Sequence, residues 1–296
     1  MNQALISAAD LMARLRDAPE SVLVLDASFE LSDPAAGARS HAAARLPGSV
    51  YVHLDADLSA AKTGLNGRHP LPTPQAFCSR MAALGARDDQ TIVAYDANGS
   101  MYAARLWWML RWVGHADVRV LDGGLAAWRV AGGAVAGGAV GGGALSGELV
   151  SARAAASNAG FSLRPSLVTR IDHAALRANL GTDQTLVVDA RAPDRYRGEN
   201  ETLDPVGGRI PGAANRFFRD NLAADGCFKP ADQLRAEWLA LIGDRAPAAL
   251  AHQCGSGVTA CHNLLAMESA GLPGAALYPG SWSEWCAQPG APIARG

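Results

Sequence analysis

The chain has 296 residues, which is long for one compact core and comfortable for two domains of average size. Its 26 basic and 28 acidic residues nearly cancel, so neither nucleic acid nor an anionic membrane surface is suggested as a partner, and a small-molecule substrate fits better. Five cysteines lack the spacing of a disulfide scaffold, the apolar runs are too short to span a bilayer, and residues 1–7 show no basic flank before an apolar stretch, so a reducing cytoplasm is the expected location.

Taken in chain order, the first predicted strand is Val22-Leu23-Val24-Leu25, ending in Asp26-Ala27. A Pro-Gly turn follows, Arg45-Leu46-Pro47-Gly48-Ser49, then a second strand and loop, Ile92-Val93-Ala94-Tyr95-Asp96-Ala97-Asn98-Gly99, leading into a helix. The half closes on a short strand, a glycine turn and a tryptophan: Val120-Leu121-Asp122-Gly123-Gly124 with Trp128. The second half repeats every step, with Leu186-Val187-Val188-Asp189-Ala190, Arg209-Ile210-Pro211-Gly212-Ala213, Leu250-Ala251-His252-Gln253-Cys254-Gly255-Ser256-Gly257, and Leu277-Tyr278-Pro279-Gly280-Ser281 with Trp285. Apolar strands alternating with amphipathic helices predict α/β architecture in two tandem domains, each a mostly parallel sheet with helices on both faces. Between the halves lies a Gly/Ala-rich tract of linker composition, so the expected divisions are a first domain 1–136, a linker 137–164 and a second domain 165–296.

The most informative segment is Cys254-Gly255-Ser256-Gly257-Val258-Thr259, between an apolar strand and the helix-like run 260–268. Two glycines let the backbone curl so that several amide N–H groups point at one atom, and the following helix adds the positive end of its dipole. Such a cradle stabilises a thiolate, or an anion delivered to it. In the duplicated frame Asp96 stands where Cys254 stands, so only the second half carries the nucleophile, and the first is expected to act as support and as one wall of a cleft.

These residues resemble the two-domain rhodanese-like sulfurtransferases, which act on thiosulfate or 3-mercaptopyruvate. The similarity is carried by Cys254-Gly255-Ser256-Gly257-Val258-Thr259-Ala260, by Arg191-Ala192-Pro193-Asp194-Arg195-Tyr196-Arg197-Gly198, by Asp122-Gly123-Gly124 and by Gly280-Ser281-Trp282-Ser283-Glu284-Trp285. The resemblance implies two rhodanese-like domains, the first inactive, and a Cys254 persulfide that passes sulfur from an anionic donor to a thiophilic acceptor such as cyanide or a thiol, without metal or organic cofactor. It implies Arg195 as the residue holding the donor anion, and Gly255, Gly257, Val258 and Thr259 as the loop around the sulfur. Ser256 would polarise the donor or relay a proton, with capping of the following helix as the competing reading. His69, in Gly67-Arg68-His69-Pro70-Leu71-Pro72, resembles a histidine that faces the active loop, and Asp57 the acid that accompanies it. A thioredoxin-like reductant is a further implied partner.

Donor choice stays open at this point. The loop after Cys254 is similar to that of the mercaptopyruvate branch, yet Val206 stands where many of those enzymes place a second arginine, with Arg197 and Arg209 as possible substitutes. Arg45 and Arg209 replace histidines usual before the two Pro-Gly turns, a change expected to bear on packing. A cysteine phosphatase would need an arginine where Ala260 stands. A zinc site built from His252, Cys254, Cys261 and His262 is disfavoured because adjacent helical residues point to different faces. Cys78, Cys227 and Cys286 read as packing or incidental residues, with Cys286 open to oxidation, and the alternative to an enzyme is a non-catalytic sulfur-binding or regulatory module.

Overall fold

A computed structural model of the protein describes residues 4–137 and 160–296; most of the segment expected as a linker, 138–159, lies outside the described residues. The chain forms two compact units: Met1–Leu58 with Pro72–Leu167, and Ser59–Leu71 with Val168–Gly296. A short excursion of the first repeat, 59–71, therefore belongs to the second unit, and His69 goes with it.

In the first unit β1 (Leu5–Ile6), β2 (Val22–Asp26), β3 (Val50–Tyr51), β4 (Thr91–Tyr95) and β5 (Val118–Leu121) form a parallel sheet in the order β1-β5-β4-β2-β3. In the second, β6 (Thr169–Arg170), β7 (Leu186–Asp189), β8 (Ala214–Asn215), β9 (Leu250–Gln253) and β10 (Ala276–Leu277) form a parallel sheet in the order β6-β10-β9-β7-β8. Replacing each strand by its counterpart turns one order into the other, so the sequence repeat is a repeat of topology. Helices cover both faces of each sheet, which is why β2, β4 and β9 are buried along their whole length and read as continuous apolar runs instead of alternating ones.

Each core closes on its tryptophans. Trp128 packs with Leu11, Val22, Val93 and Tyr95 in the first unit, while Trp282 and Trp285 pack with Leu176, Val187, Ala251 and Tyr278 in the second. Each such side chain withdrawn from water contributes roughly 2–3 kcal/mol. The helices Met101–Trp112 and Thr259–Ser269, which follow β4 and β9, are buried on nearly every side, with Arg105, His262 and Asn263 as polar exceptions among mostly apolar residues. Beyond the undescribed stretch, residues 160–167 return to the first unit: Phe161 meets the His115 ring, Arg164 pairs with Asp88, and the N–H groups of Arg164 and Leu167 donate to Val113 and Arg111.

Strand order also determines where chemistry sits. From β7 the chain turns toward the β8 edge, and from β9 toward β10, so the crevice outside the carboxyl ends of β7 and β9 is the topological switch point where open α/β sheets hold ligands. The segments opening there begin at Ala190 and at Cys254.

Candidate functional site

Cys254 is the first residue after β9 and is 2% exposed. Its N–H donates to Ser281 Oγ at 3.1 Å, its carbonyl accepts the Trp282 N–H at 2.9 Å, and the Gly255 carbonyl accepts the Ser283 N–H at 2.9 Å. The loop carbonyls are thus held back by the segment 281–283. Gly257 takes φ +74°, a left-handed turn that a side chain would strain. As a result the N–H groups of Ser256, Val258, Thr259 and Ala260 have no acceptor among the described residues, and those of Thr259 and Ala260 lie in the first turn of a helix, where no intrahelical acceptor exists. Backbone donors left unpaired in such a turn suit an anion. Ser281 itself adopts φ +54°, on the order of 1 kcal/mol of strain, and is held there because its hydroxyl donates to the Tyr278 carbonyl while accepting from Cys254.

Ser256 Oγ and His69 Nδ1 share a hydrogen bond of 2.8 Å, the hydroxyl donating in one ring tautomer and accepting in the other. Both residues are buried. Val258, the cap position of the following helix, makes no side-chain capping bond, so Ser256 is spent on the histidine and not on the helix.

A layer of buried charge lies beside the loop. Arg195 grips Glu201 through Nε and Nη2, at 2.7–3.2 Å, and its Nη2 stands 3.5 Å from Asp204 Oδ2. Arg191 makes two bonds to Asp189 through Nε and one through Nη2, donates to the Gly208 carbonyl at 2.7 Å, and lies 4.7 Å from the Trp282 ring centre. Arg68 donates to Asp204 Oδ1 at 2.7 Å and to the Leu203 carbonyl, while its own N–H donates to Ser283 Oγ. Burial works against ionisation of Glu201, yet the Arg195 hydrogen bonds and the Leu203 N–H hold its carboxyl below the usual range; burial pushes that of Asp204 up despite Arg68. Burial works against the charge on Arg191, yet the carboxylate of Asp189, with Glu201 beside it, raises its pKa above the ordinary value.

The second unit thus brings together Cys254, Gly255, Ser256, Gly257, Val258, Thr259, Arg195 and His69. Asp57 belongs to the first unit, where its carboxylate accepts from Arg80 Nε at 2.6 Å and from the His53 N–H at 2.7 Å. Arg197 pairs with Glu199 at the surface, and Arg209 lies over the Tyr196 ring and donates to the terminal Gly296 carbonyl, so both are engaged elsewhere. Val206 offers only its carbonyl, to Trp282 Nε1. His252 lies against Trp238 and Met267, His262 between Phe218 and Phe228, and Cys261 donates to the Gly257 carbonyl; among the described residues no group of three or more His, Cys, Asp or Glu could hold a metal ion.

Residues 7–131 and 172–288 each match the model of the rhodanese-like domain. The chain belongs to the rhodanese-like family. It is 44% identical over 294 residues to a Pseudomonas aeruginosa protein named "Probable 3-mercaptopyruvate sulfurtransferase", covering 99% of this chain and 98% of that one. It is 33% identical over 267 residues to the thiosulfate sulfurtransferase of Bos taurus, covering 88% and 84%. The crystal structure of SseA from Escherichia coli, described as a 3-mercaptopyruvate sulfotransferase, superposes with a TM-score of 0.75 at 27% identity, over 95% of this chain and 99% of that one. Among the described residues no helix is long and apolar enough to cross a membrane.

Within this rhodanese-like chain three site residues escaped the sequence reading. Glu201 and Asp204 are ordinary surface-type residues by composition and become buried partners only in the fold. Arg68 stood in plain view beside His69 in Gly67-Arg68-His69, and the signal for it was Gly67: φ +84° and a backbone packed against Gly280, where a Cβ would come within 2.8 Å of the Gly280 carbonyl oxygen.

Proposed function

We propose that this sulfurtransferase of the rhodanese-like family moves sulfane sulfur through a persulfide on Cys254, taking it from 3-mercaptopyruvate or thiosulfate and delivering it to cyanide or a thiol. With thiosulfate, the Cys254 thiolate attacks the outer sulfur, a new S–S bond forms, the old one breaks, and sulfite leaves with the electron pair. With mercaptopyruvate the breaking bond is C–S, and the leaving pyruvate enolate takes one proton, for which the Ser256–His69 pair is the nearest relay. Arg195 holds the donor's anionic end. In the second half-reaction cyanide attacks the outer sulfur, thiocyanate leaves and the thiolate returns; a thiol acceptor carries the sulfur away as its own persulfide, and a thioredoxin-like dithiol would release it as sulfide by closing its own disulfide.

The observation that carries this reading is the loop of unpaired N–H groups around Cys254: a thiolate and a persulfide are both anions, and backbone donors stabilise either without a metal. The test is thiocyanate formation from cyanide with each donor, alongside intact-mass analysis after donor treatment. Turnover and a gain of one sulfur atom on the Cys254 peptide are expected. No turnover with either donor, and no added sulfur, would sink the proposal.

A further inference from the structure

The Cys254 loop is overhung by two guanidinium groups, those of Arg68 and Arg195. A Cβ built on Gly255 would stand 2.9 Å from Arg68 Nη2, 3.6 Å from Arg195 Nη2 and 3.7 Å from Arg195 Nη1. The two forks therefore converge on one point directly beside the nucleophile, a point left empty because residue 255 has no side chain. Each fork is anchored on one edge only. Arg68 spends Nη1 on Asp204 and Leu203, and Arg195 spends Nε and Nη2 on Glu201. Arg68 Nη2 and Arg195 Nη1 have no hydrogen-bond partner among the described residues. Asp204 touches both cations, Oδ1 on Arg68 at 2.7 Å and Oδ2 at 3.5 Å from Arg195, and so spaces them side by side where bare repulsion would part them.

We propose that Arg68 and Arg195 form a two-pronged clamp above Gly255 for the anionic end of the sulfur donor, with Asp204 as the carboxylate that sets their separation. Two guanidinium edges meeting at an empty position match a carboxylate or thiosulfonate, which accepts from both at once. Arg68 is the prong that decides how strongly an anionic donor is preferred over a neutral one. The three carboxylates Asp189, Glu201 and Asp204 balance the three arginines of the layer as a whole, but they occupy the anchored edges, and the donor meets the free ones. The inference rests on the proposed sulfur transfer for its physiological meaning and on geometry alone for its existence.

The experiment separates the two. Alkylation of Cys254 by iodoacetate and by iodoacetamide, followed on the Cys254 peptide by mass spectrometry, compares an anionic with a neutral electrophile of nearly the same size; in each the thiolate displaces iodide and forms a C–S bond. Arg68→Gln should lower the iodoacetate-to-iodoacetamide rate ratio about five- to twentyfold, and Arg68→Lys, which keeps the charge near Asp204 but loses the fork, should lower it less. The iodoacetamide rate serves as the check that the loop is intact in both variants. In parallel, Arg68→Gln should raise the mercaptopyruvate KM more than it lowers kcat. An unchanged alkylation ratio in both variants overturns the clamp whatever the turnover. A lowered ratio in a protein that forms no thiocyanate from either donor upholds the clamp and overturns the sulfurtransferase chemistry instead.

Discussion

The two halves of this molecule build the same loop and fill it differently. In the first unit the residue after β4 is Asp96, and its carboxylate accepts four backbone N–H groups: Asn98 and Ser100 on Oδ1, Tyr102 and Ala103 on Oδ2, all at 2.8–2.9 Å. In the second unit the residue after β9 is Cys254, and the N–H groups at the positions matching Asn98, Ser100 and Tyr102, namely Ser256, Val258 and Ala260, have no acceptor among the described residues. The cradle is thus a property of the strand-loop-helix backbone, and the residue at its head decides whether a carboxylate fills it. The flanking strands repeat the contrast. The Ser28 N–H donates to Asp26 Oδ1 and the Arg191 N–H to Asp189 Oδ1, both at 2.9 Å, but the carboxylates are then completed by His41 in the first unit and by the Arg191 guanidinium in the second. Of these two partners, the one in the second unit is a permanent cation.

Breaking that contrast at its centre should give the largest effect. Cys254→Ser should remove thiocyanate formation to background, a loss of about a thousandfold or more, while the urea midpoint stays near that of the parent, since the hydroxyl occupies the same space; retained turnover would mean that another group carries the sulfur. The mirror experiment, Asp96→Ala, should do the reverse to its own unit. Three buried N–H groups and the half-buried one of Asn98 lose their acceptor, at a cost of about 2–4 kcal/mol in the urea transition, whereas a neutral result would show that the carboxylate is incidental. Burial pushes the Asp96 carboxyl pKa up and the four N–H bonds pull against that, so Asp96→Asn, which keeps two acceptor sites on one oxygen, should cost less than Asp96→Ala.

Arg195→Ala removes a guanidinium that stands beside the second unit's loop. It should cut kcat/KM for an anionic donor about ten- to a hundredfold, through both KM and kcat, and an unchanged profile would assign the donor to Arg68 alone. The smallest effect expected is on pH dependence of stability. Burial beside Trp238 lowers His252 from its ordinary value to about 3. The unfolded chain takes up this proton below about pH 6.5 and the folded chain does not, so stability is fully present above that pH and is lost as pH falls toward 3. Urea midpoints at about pH 7.5 and pH 5 should differ in the parent by more than in His252→Gln; equal slopes would show that other groups carry the acid loss.

Much of this was legible in residues alone because it is local. The paired Asp-Ala strand ends, the paired Pro-Gly turns and the Cys254 loop each depend on φ preferences and apolar runs within a few neighbours, and the structure returns them as equivalent strands of two sheets. One expectation shows the limit. Arg197 and Arg209, named as substitutes for the arginine that Val206 replaces, are engaged by Glu199 and by Tyr196, while the guanidinium that meets Arg195 over Gly255 is Arg68, carried on a segment of the other repeat.

The amino-acid sequence by itself determined the duplication, the parallel α/β architecture and which of the two loops carries a thiol, since each follows from short-range backbone preference and from the identity of one residue. Tertiary structure alone decided that His69 meets Ser256, that Arg68 stands over Gly255 and that Glu201 and Asp204 become the buried partners of arginines. The physical reason is that a charged or hydrogen-bonding side chain takes whichever partner lies within about 3 Å once water is excluded, and that proximity is set by strand order and by the return of residues 59–71, on which local preference has no purchase.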